Sequence, residues 1–222
     1  MALAAILVVE SQAQVKTYDL KKGEAFDLLL LDQIPETGEL FQDYFKTAGA
    51  VAKEYGYLPQ RGYRVKQEPL QGNYWPSLVI IAKWKDYDKR TQFLTDVVKK
   101  VPDFHARRRQ LWSTFFLTYW EVEKDQKVEV RADKYNVMTA YWSEDEASFN
   151  SFTDNWKNTA NEHGGKVLLE LNDGKSPFGY AYAPEFLTIT QWESKEAFDK
   201  FYQKNLSMPH QGVKHVNQFI IE

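Results

Sequence analysis

The chain has 222 residues, a formal charge of −3 and no cysteine. That length allows one large domain or two small ones with separate cores. The charge lacks the basic field that phosphate backbones demand, so no nucleic-acid partner is expected, and the missing thiols exclude disulfides, thiolate metal sites and cysteine nucleophiles. Hydrophobic residues make up 43% and aromatic residues 15%. This is more ring surface than a minimal core needs, which favours an aromatic-lined cavity.

Residues 3–9 are entirely apolar and precede Ser11, Gln12 and Ala13, so residues 1–13 read as the remnant of a secretory signal and the protein as periplasmic or secreted. No Lys or Arg precedes the run. Seven residues fall far short of the roughly 20 needed to cross a bilayer, and with no other qualifying segment a soluble protein without a membrane span is expected.

Phe26, Leu28, Leu29, Leu30 and Leu31 place a strand covered on both faces at 24–33. Pro35, Glu36 and Glu39 then open a helix with Phe41, Tyr44, Phe45, Ala48, Val51 and Ala52 at spacings of three and four, stopped by Gly56. Strands follow at 62–67 and 77–85, separated by a loop with Pro69, Gly72 and Pro76. A helix at 90–100 and a strand at 113–122 complete the set. Residues 124–133, highly charged, read as a linker. Strands at 134–142, 166–171, 186–192 and 215–221 and helices at 146–163 and 195–204 then repeat the order strand, helix, strand, strand, helix, strand.

The repeat is also visible residue by residue. Shifted by 108 positions, Phe41 falls on Phe149, Ala52 on Ala160, Glu54 on Glu162, Gly56 on Gly164, Pro69 on Pro177, Tyr74 on Tyr182, Pro76 on Pro184, Ile81 on Ile189, Trp84 on Trp192 and Phe93 on Phe201. Chance would give roughly three identities over such a span. The matched residues are structural, so chemistry must be read where the halves differ. The expected fold is α+β: two tandem ferredoxin-like βαββαβ repeats, residues 14–125 and 126–222. Because their strands are apolar on both faces, the sheets are expected to close on each other as a pseudo-dimeric α/β barrel.

In this arrangement the chain resembles the dimeric α/β barrel superfamily, which includes antibiotic-biosynthesis and heme-degrading monooxygenases, chlorite dismutases, NIPSNAP proteins and small uncharacterised families. The run Glu162, His163, Gly164, Gly165 before a strand, and Trp192 to Phe198 across a strand-to-helix passage, are similar to the uncharacterised members. Among heme-degrading members an asparagine, a tryptophan and a histidine form the working set. Asn136, Trp192 and His210 match those types, although His210 lies beyond the helix instead of on it. The resemblance thus implies heme for one branch, while the residues themselves specify no cofactor. It also allows a homo-oligomer.

Four histidines are present, three of them in the second half. His105 and His210 each follow a proline behind a helix, where a near-neutral imidazole suits a base or an axial ligand; a loop histidine is the plainer account. His215 opens the last strand, and His163 sits on an apolar helix edge as a packing residue. No histidine and carboxylate set has metal-site spacing, so no metal is expected. Arg107, Arg108 and Arg109 could receive a carboxylate, although a solvated turn explains the run more simply. Tyr74 and Trp75 in one half, and Phe178, Tyr180 and Tyr182 in the other, occupy equivalent long connections. Alternation puts Tyr141 on one strand face and Thr188, Thr190 and Trp192 on another. Rings mixed with hydroxyls suit a cavity better than a dry core, whereas the first half has Leu31 for Thr139 and Ile80 and Ala82 for Thr188 and Thr190.

The expected function is therefore binding of a small apolar or aromatic molecule in a second-half cavity, with Trp192, Thr188, Thr190, Tyr182 and His215 as ligand contacts. The alternative is a monooxygenase or isomerase, cofactor-independent or heme-dependent, using His210, Asn136 and Tyr141.

Overall fold

A computed structural model describes residues 14–222; the signal-like segment, residues 1–13, lies outside them. The first half contains β1 (Val15–Leu20), β2 (Ala25–Gln33), α1 (Gly38–Glu54), β3 (Tyr57–Pro59), β4 (Tyr63–Arg64), β5 (Leu78–Trp84), α2 (Tyr87–Lys100), α3 (Phe104–Leu111) and β6 (Trp112–Glu121). The second contains β7 (Gln126–Arg131), β8 (Tyr135–Ser143), α4 (Glu146–Glu162), β9 (Lys166–Asn172), β10 (Phe186–Trp192), α5 (Lys195–Ser207) and β11 (Val213–Ile220). The fold is α+β, and no described helix is long and apolar enough to cross a membrane.

The two larger sheets run β6-β2-β5-β3 and β11-β8-β10-β9, so corresponding strands take corresponding places. Neighbouring strands within them are antiparallel. Helix ends explain two of the matched residues: Gly56 and Gly164 have φ +87° and +84° and terminate α1 and α4 in a conformation that side chains resist. At the other end of α4, the Asp145 carboxylate accepts from the Ser148 backbone N–H at 3.0 Å.

Three expectations need correction. Residues 124–133 are not a linker: β7 pairs along its whole length with β1, from Val15 against Arg131 to Leu20 against Gln126. Val128 and Val130 are buried while Lys127, Glu129 and Arg131 are exposed, so the charges form one face of a half-buried ribbon. The strand expected at 62–67 is only the short β4, with a second short piece, β3, before it; Gly62 lies between them, where a Cβ would stand 2.2 Å from the Val79 carbonyl oxygen. Nor do the sheets close into a continuous barrel among the described residues. They face each other, and single bridges join Val65 to Ile221, Gln71 to Gln218 and Tyr119 to Lys175. Each half lays its long connection along the last strand of the other half, and these segments stand where barrel closure would need direct strand pairing.

The space between the sheets is solid. Leu28, Leu30, Val79 and Ile81 from one sheet meet Met138, Ala140, Leu187, Ile189 and Phe219 from the other, with Tyr18, Leu20, Val128 and Val130 of the ribbon completing the cluster. The opposite sheet faces are covered by helices: α1, α2 and α3 in the first half, α4 and α5 in the second.

The first helix layer holds a buried ion pair. Arg90 of α2 donates through Nε to both Asp27 carboxylate oxygens at 2.9 Å, and the side chains are only 1% and 4% exposed. The guanidinium lies 4.8 Å from the Trp84 ring and 4.7 Å from that of Tyr119, which offsets part of its desolvation. Cross-strand register gives the second-half equivalents. Ala25 pairs with Trp84 and Tyr135 with Trp192, so the shift along the first strands is 135 − 25 = 110, and Asp27 corresponds to Val137. On the second helices it remains 108, so Arg90 corresponds to Phe198.

Asp27→Ala should lower unfolding free energy by about 3–5 kcal/mol, because it strands a buried cation. The double variant Asp27→Val/Arg90→Phe, which copies the second half, should recover most of that loss. Denaturant unfolding of the three proteins decides; a double variant as unstable as the single would show that the charges themselves are needed.

Candidate functional site

Trp156 of α4 fills the second-half space between helix and sheet. It is fully buried and stands edge-on to Phe186, Phe201 and Tyr141 with ring centroids 5.9, 5.4 and 6.0 Å away. At the 108 shift of the equal-length helices α1 and α4, its counterpart is Ala48, followed by Gly49, while Phe152 corresponds to Tyr44. An indole is thus replaced by a methyl group. The result is a cavity of about 190 Å³ between α1 and the first sheet, bordered by Leu29, Leu31, Ile80, Trp112 and Phe115 and by the polar groups Asp27, Tyr44, Arg90 and Arg108. This space is on the order of the cavity of about 150 Å³ that accepts one benzene ring.

Arg108 sits on α3, which has no counterpart in the second half. Between α2 and β6 lie residues 101–111, whereas between α5 and β11 there are only residues 208–212. The side chain is buried. Its Nε donates to the Tyr44 hydroxyl at 2.9 Å and its Nη1 to the Tyr180 hydroxyl at 3.1 Å; neither bond engages Nη2. Rings of Phe104 and Phe115 flank the guanidinium at 3.9 and 4.4 Å. No carboxylate among the described residues pairs with it. Burial opposes its charge, the Tyr44 and Tyr180 oxygens favour it, and the balance leaves its pKa above the ordinary arginine value. Burial pushes the Tyr44 phenol up, against the pull of Arg108, and pushes Tyr57 up to about 12, with help from Asp27. At neutral pH the cavity therefore presents a fixed cation, a protonated phenol and a neutralised ion pair.

Arg108, Trp112 and Phe115 also border an outer groove of about 630 Å³, with His105, Arg109, Phe178 and Tyr180 on its other walls. Two of these, Phe178 and Tyr180, belong to the second half's long connection. His105 Nδ1 is 3.3 Å from the Tyr180 hydroxyl, and the Phe178 ring centroid is 4.6 Å from that of His105.

Of the residues expected to form a second-half cavity, Tyr141, Thr188, Thr190 and Trp192 lie on the corresponding sheet face, but they are packed. Thr188 donates to the Leu169 carbonyl at 2.7 Å, Thr190 to that of Val137 at 3.3 Å, and Trp192 Nε1 to Thr190 Oγ1 at 3.1 Å. These partners remove the reason for expecting space beside the hydroxyls. Tyr141 is fully buried, its phenol 3.4 Å from Asn205 Oδ1 and pushed up by burial. Asn136 secures the β7–β8 turn through the Arg131 and Lys134 carbonyls at 2.9 and 3.1 Å. Tyr182 lies between the sheets, 3.4 Å from Asn217 Oδ1. His215 packs between Tyr74 and Trp142, and His210 packs on Phe152 at 5.2 Å. Neither these histidines nor Asn136 borders the inner cavity.

No family model matches the chain, and no curated protein matches it in sequence. Its fold is similar to that of an anthrone oxidase-like protein, with a TM-score of 0.55 and 14% identity over 93% of this chain and 94% of that one. It is also similar to chlorite dismutase from Candidatus Nitrospira defluvii in complex with imidazole, at 0.50 and 10%, over 91% and 92%. A double mutant of that enzyme gives 0.52 and 10%, over 91% and 93%. The chain shares the α+β fold of these proteins. Identities this low carry the fold alone.

A heme does not fit the residues of the inner cavity. No imidazole borders it, and its volume is of the order of one aromatic ring. Asn136, Trp192 and His210, the types implied by resemblance, serve a turn, a core and a helix edge instead.

Sequence reasoning missed Asp27, Arg90, Tyr44 and Ala48, and ranked Arg108 behind a solvated turn. The signal lay in the repeat: an arginine where the other half has phenylalanine, and an alanine where it has tryptophan.

Burial first, and the Arg108 and Arg109 charges second, push the His105 pKa below its ordinary value. An unfolded histidine gains its proton near pH 6.5, the folded one only at lower pH, so the unfolded state binds more protons as pH falls through 6.5. Stability should decline from there and the decline should level off below the folded pKa. His105→Gln should therefore show a shallower fall in Tm between pH 7 and pH 5 than the wild type. Equal slopes would remove this histidine from the pH response.

Proposed function

We propose that the protein binds a small aromatic or otherwise flat apolar acid in the first-half cavity, with the ring against Leu29, Ile80 and Phe115 and the acid on Arg108. The observation that carries this is a buried guanidinium whose hydrogen-bonding partners are two neutral phenols. A buried cation without a counter-charge is costly, and a ligand carboxylate supplies the missing charge through short, charge-assisted hydrogen bonds. The reading keeps the expected ligand class, adds the acid, and moves the site from the second half to the first. In the same reading the halves are tandem ferredoxin-like units, one solid and one hollow.

Oxygenase or isomerase chemistry on such a ligand is the second reading, supported by fold likeness to an anthrone oxidase-like protein. The lining chemistry ranks it lower. Both oxygens of Asp27 accept from Arg90, and burial raises the Tyr44 pKa, so neither group is a free base beside a bound ring.

Titration calorimetry with 2-naphthoate and its neutral amide tests the binding reading. The wild type should prefer the acid, and Arg108→Met should weaken 2-naphthoate binding about tenfold or more while leaving the amide little changed. Ala48→Trp, which copies the second half, should abolish binding of both without loss of Tm. Equal affinity of the wild type for acid and amide would sink the proposal.

A further inference from the structure

The long connection of the second half, residues 173–185, crosses to the first half and walls the outer groove, which shares Arg108, Trp112 and Phe115 with the inner cavity. Its attachments are specific. Lys175 and Tyr119 exchange backbone hydrogen bonds at 2.9 Å in both directions, the Ser176 hydroxyl donates to the Leu117 carbonyl at 2.9 Å, and Thr118 donates to the Tyr182 carbonyl. Between these anchors the segment is strained. Phe178 and Ala181 have φ of 59° and 58°, a region non-glycine residues occupy uncommonly and at a cost. Phe178 is 42% exposed despite its size. At the centre of the segment Tyr180 packs on Phe115 with ring centroids 4.8 Å apart and accepts from Arg108 Nη1.

Two phenols thus hold Arg108, and they are not equivalent. Tyr44 takes Nε from a buried position on α1, wedged edge-on against Trp112 at 5.2 Å. Tyr180 takes Nη1 from a strained, partly exposed strap. A carboxylate engages arginine through two parallel N–H···O bonds, and the edge that avoids the Tyr44 position is Nη1 with Nη2. Nη2 is not engaged by either phenol, but Nη1 is engaged by Tyr180.

We infer that Tyr180, supplied by the second half, is the specificity gate of the first-half site. Its hydroxyl accepts from Nη1, one of the two nitrogens that a planar carboxylate engages on this edge of Arg108, so a carboxylate competes with the strap at that nitrogen, whereas a ligand with a single hydroxyl acceptor binds Nη2 without displacing it. This rests on the binding reading above and deepens it: strap opening becomes the step that admits a carboxylate, at a cost that a ligand with a single hydroxyl does not meet.

The test compares wild type and Tyr180→Phe, which keeps the ring on Phe115 and removes only the competing oxygen. Tyr180→Phe should bind 2-naphthoate about fivefold more tightly, the scale of one ordinary hydrogen bond, and should bind 2-naphthol with unchanged affinity. Amide hydrogen exchange without ligand gives an independent readout: residues 176–182 should exchange faster in Tyr180→Phe than in wild type, and 2-naphthoate should accelerate the same amides in the wild type. If wild type binds 2-naphthoate but Tyr180→Phe binds it no better, or if the strap amides respond to neither change, the gate is overturned while the binding reading stands. If neither protein binds 2-naphthoate, the binding reading fails and the gate falls with it.

Discussion

Each large sheet is apolar on both faces, and that constraint organises the molecule. A four-stranded sheet with helices on one side leaves its other side in water. Here, burying Leu28, Leu30, Val79 and Ile81 against Met138, Ala140, Leu187 and Ile189 removes both exposed faces at once. Each such side chain contributes roughly 1.5–3 kcal/mol when buried, so neither half can leave the other without exposing a continuous apolar surface. The ribbon of β1 and β7 closes one side of the interface, and the crossed long connections bridge the sheet edges. With the shared core supplying this stability, the helix-facing layers of the halves are free to differ.

They differ in filling. In the second half, Trp156, Phe186, Trp192, Phe198 and Phe201 make a dry aromatic layer, in which the threonine hydroxyls are consumed by nearby carbonyls. In the first half, Ala48 and Gly49 vacate the equivalent volume, and α3 brings a cation to its edge. A cavity that served only looseness would be lined by apolar groups, because an unneutralised guanidinium beside empty apolar space makes the defect costlier. Placing Arg108 there is understandable if the cation is the purpose of the cavity. Arg90, by contrast, is answered by Asp27 within the protein and shapes the wall.

Much of the architecture was legible in the sequence because its signals are local and repeated. Helix α4 was expected at 146–163 and runs Glu146–Glu162; β10 was expected at 186–192 and runs Phe186–Trp192. Gly56 and Gly164 marked the helix ends. What failed had physical causes. The ribbon strand β7 carries its apolar signal in only two valines among charges, so composition hid a strand that alternation reveals. Helix α3 has no repeat partner to announce it. Hydroxyls on apolar strands point to the second half in sequence, but Thr188 and Thr190 satisfy themselves on the carbonyls of Leu169 and Val137, bonds that depend on sheet geometry. The shift of 110 along the first strands, against 108 on the helices, also misaligns Leu31 with Thr139, whose counterpart is Leu29.

The site uses both halves even though it lies in one. Arg108, Tyr44 and the apolar walls belong to the first half, yet Phe178 and Tyr180, which border the outer groove with Arg108, arrive from the second across an interface fixed by the shared core. In a pair of identical subunits, each long connection would have to serve its partner's cavity and present the same residues to it. Fusion of the two halves in one chain lifts that restriction. Here one connection carries Phe178 and Tyr180 to the groove beside Arg108, while the other directs Tyr74 into a packed cluster with Phe116, Trp142 and Tyr182. The asymmetry between a solid half and a hollow half therefore extends to the segments that cover them.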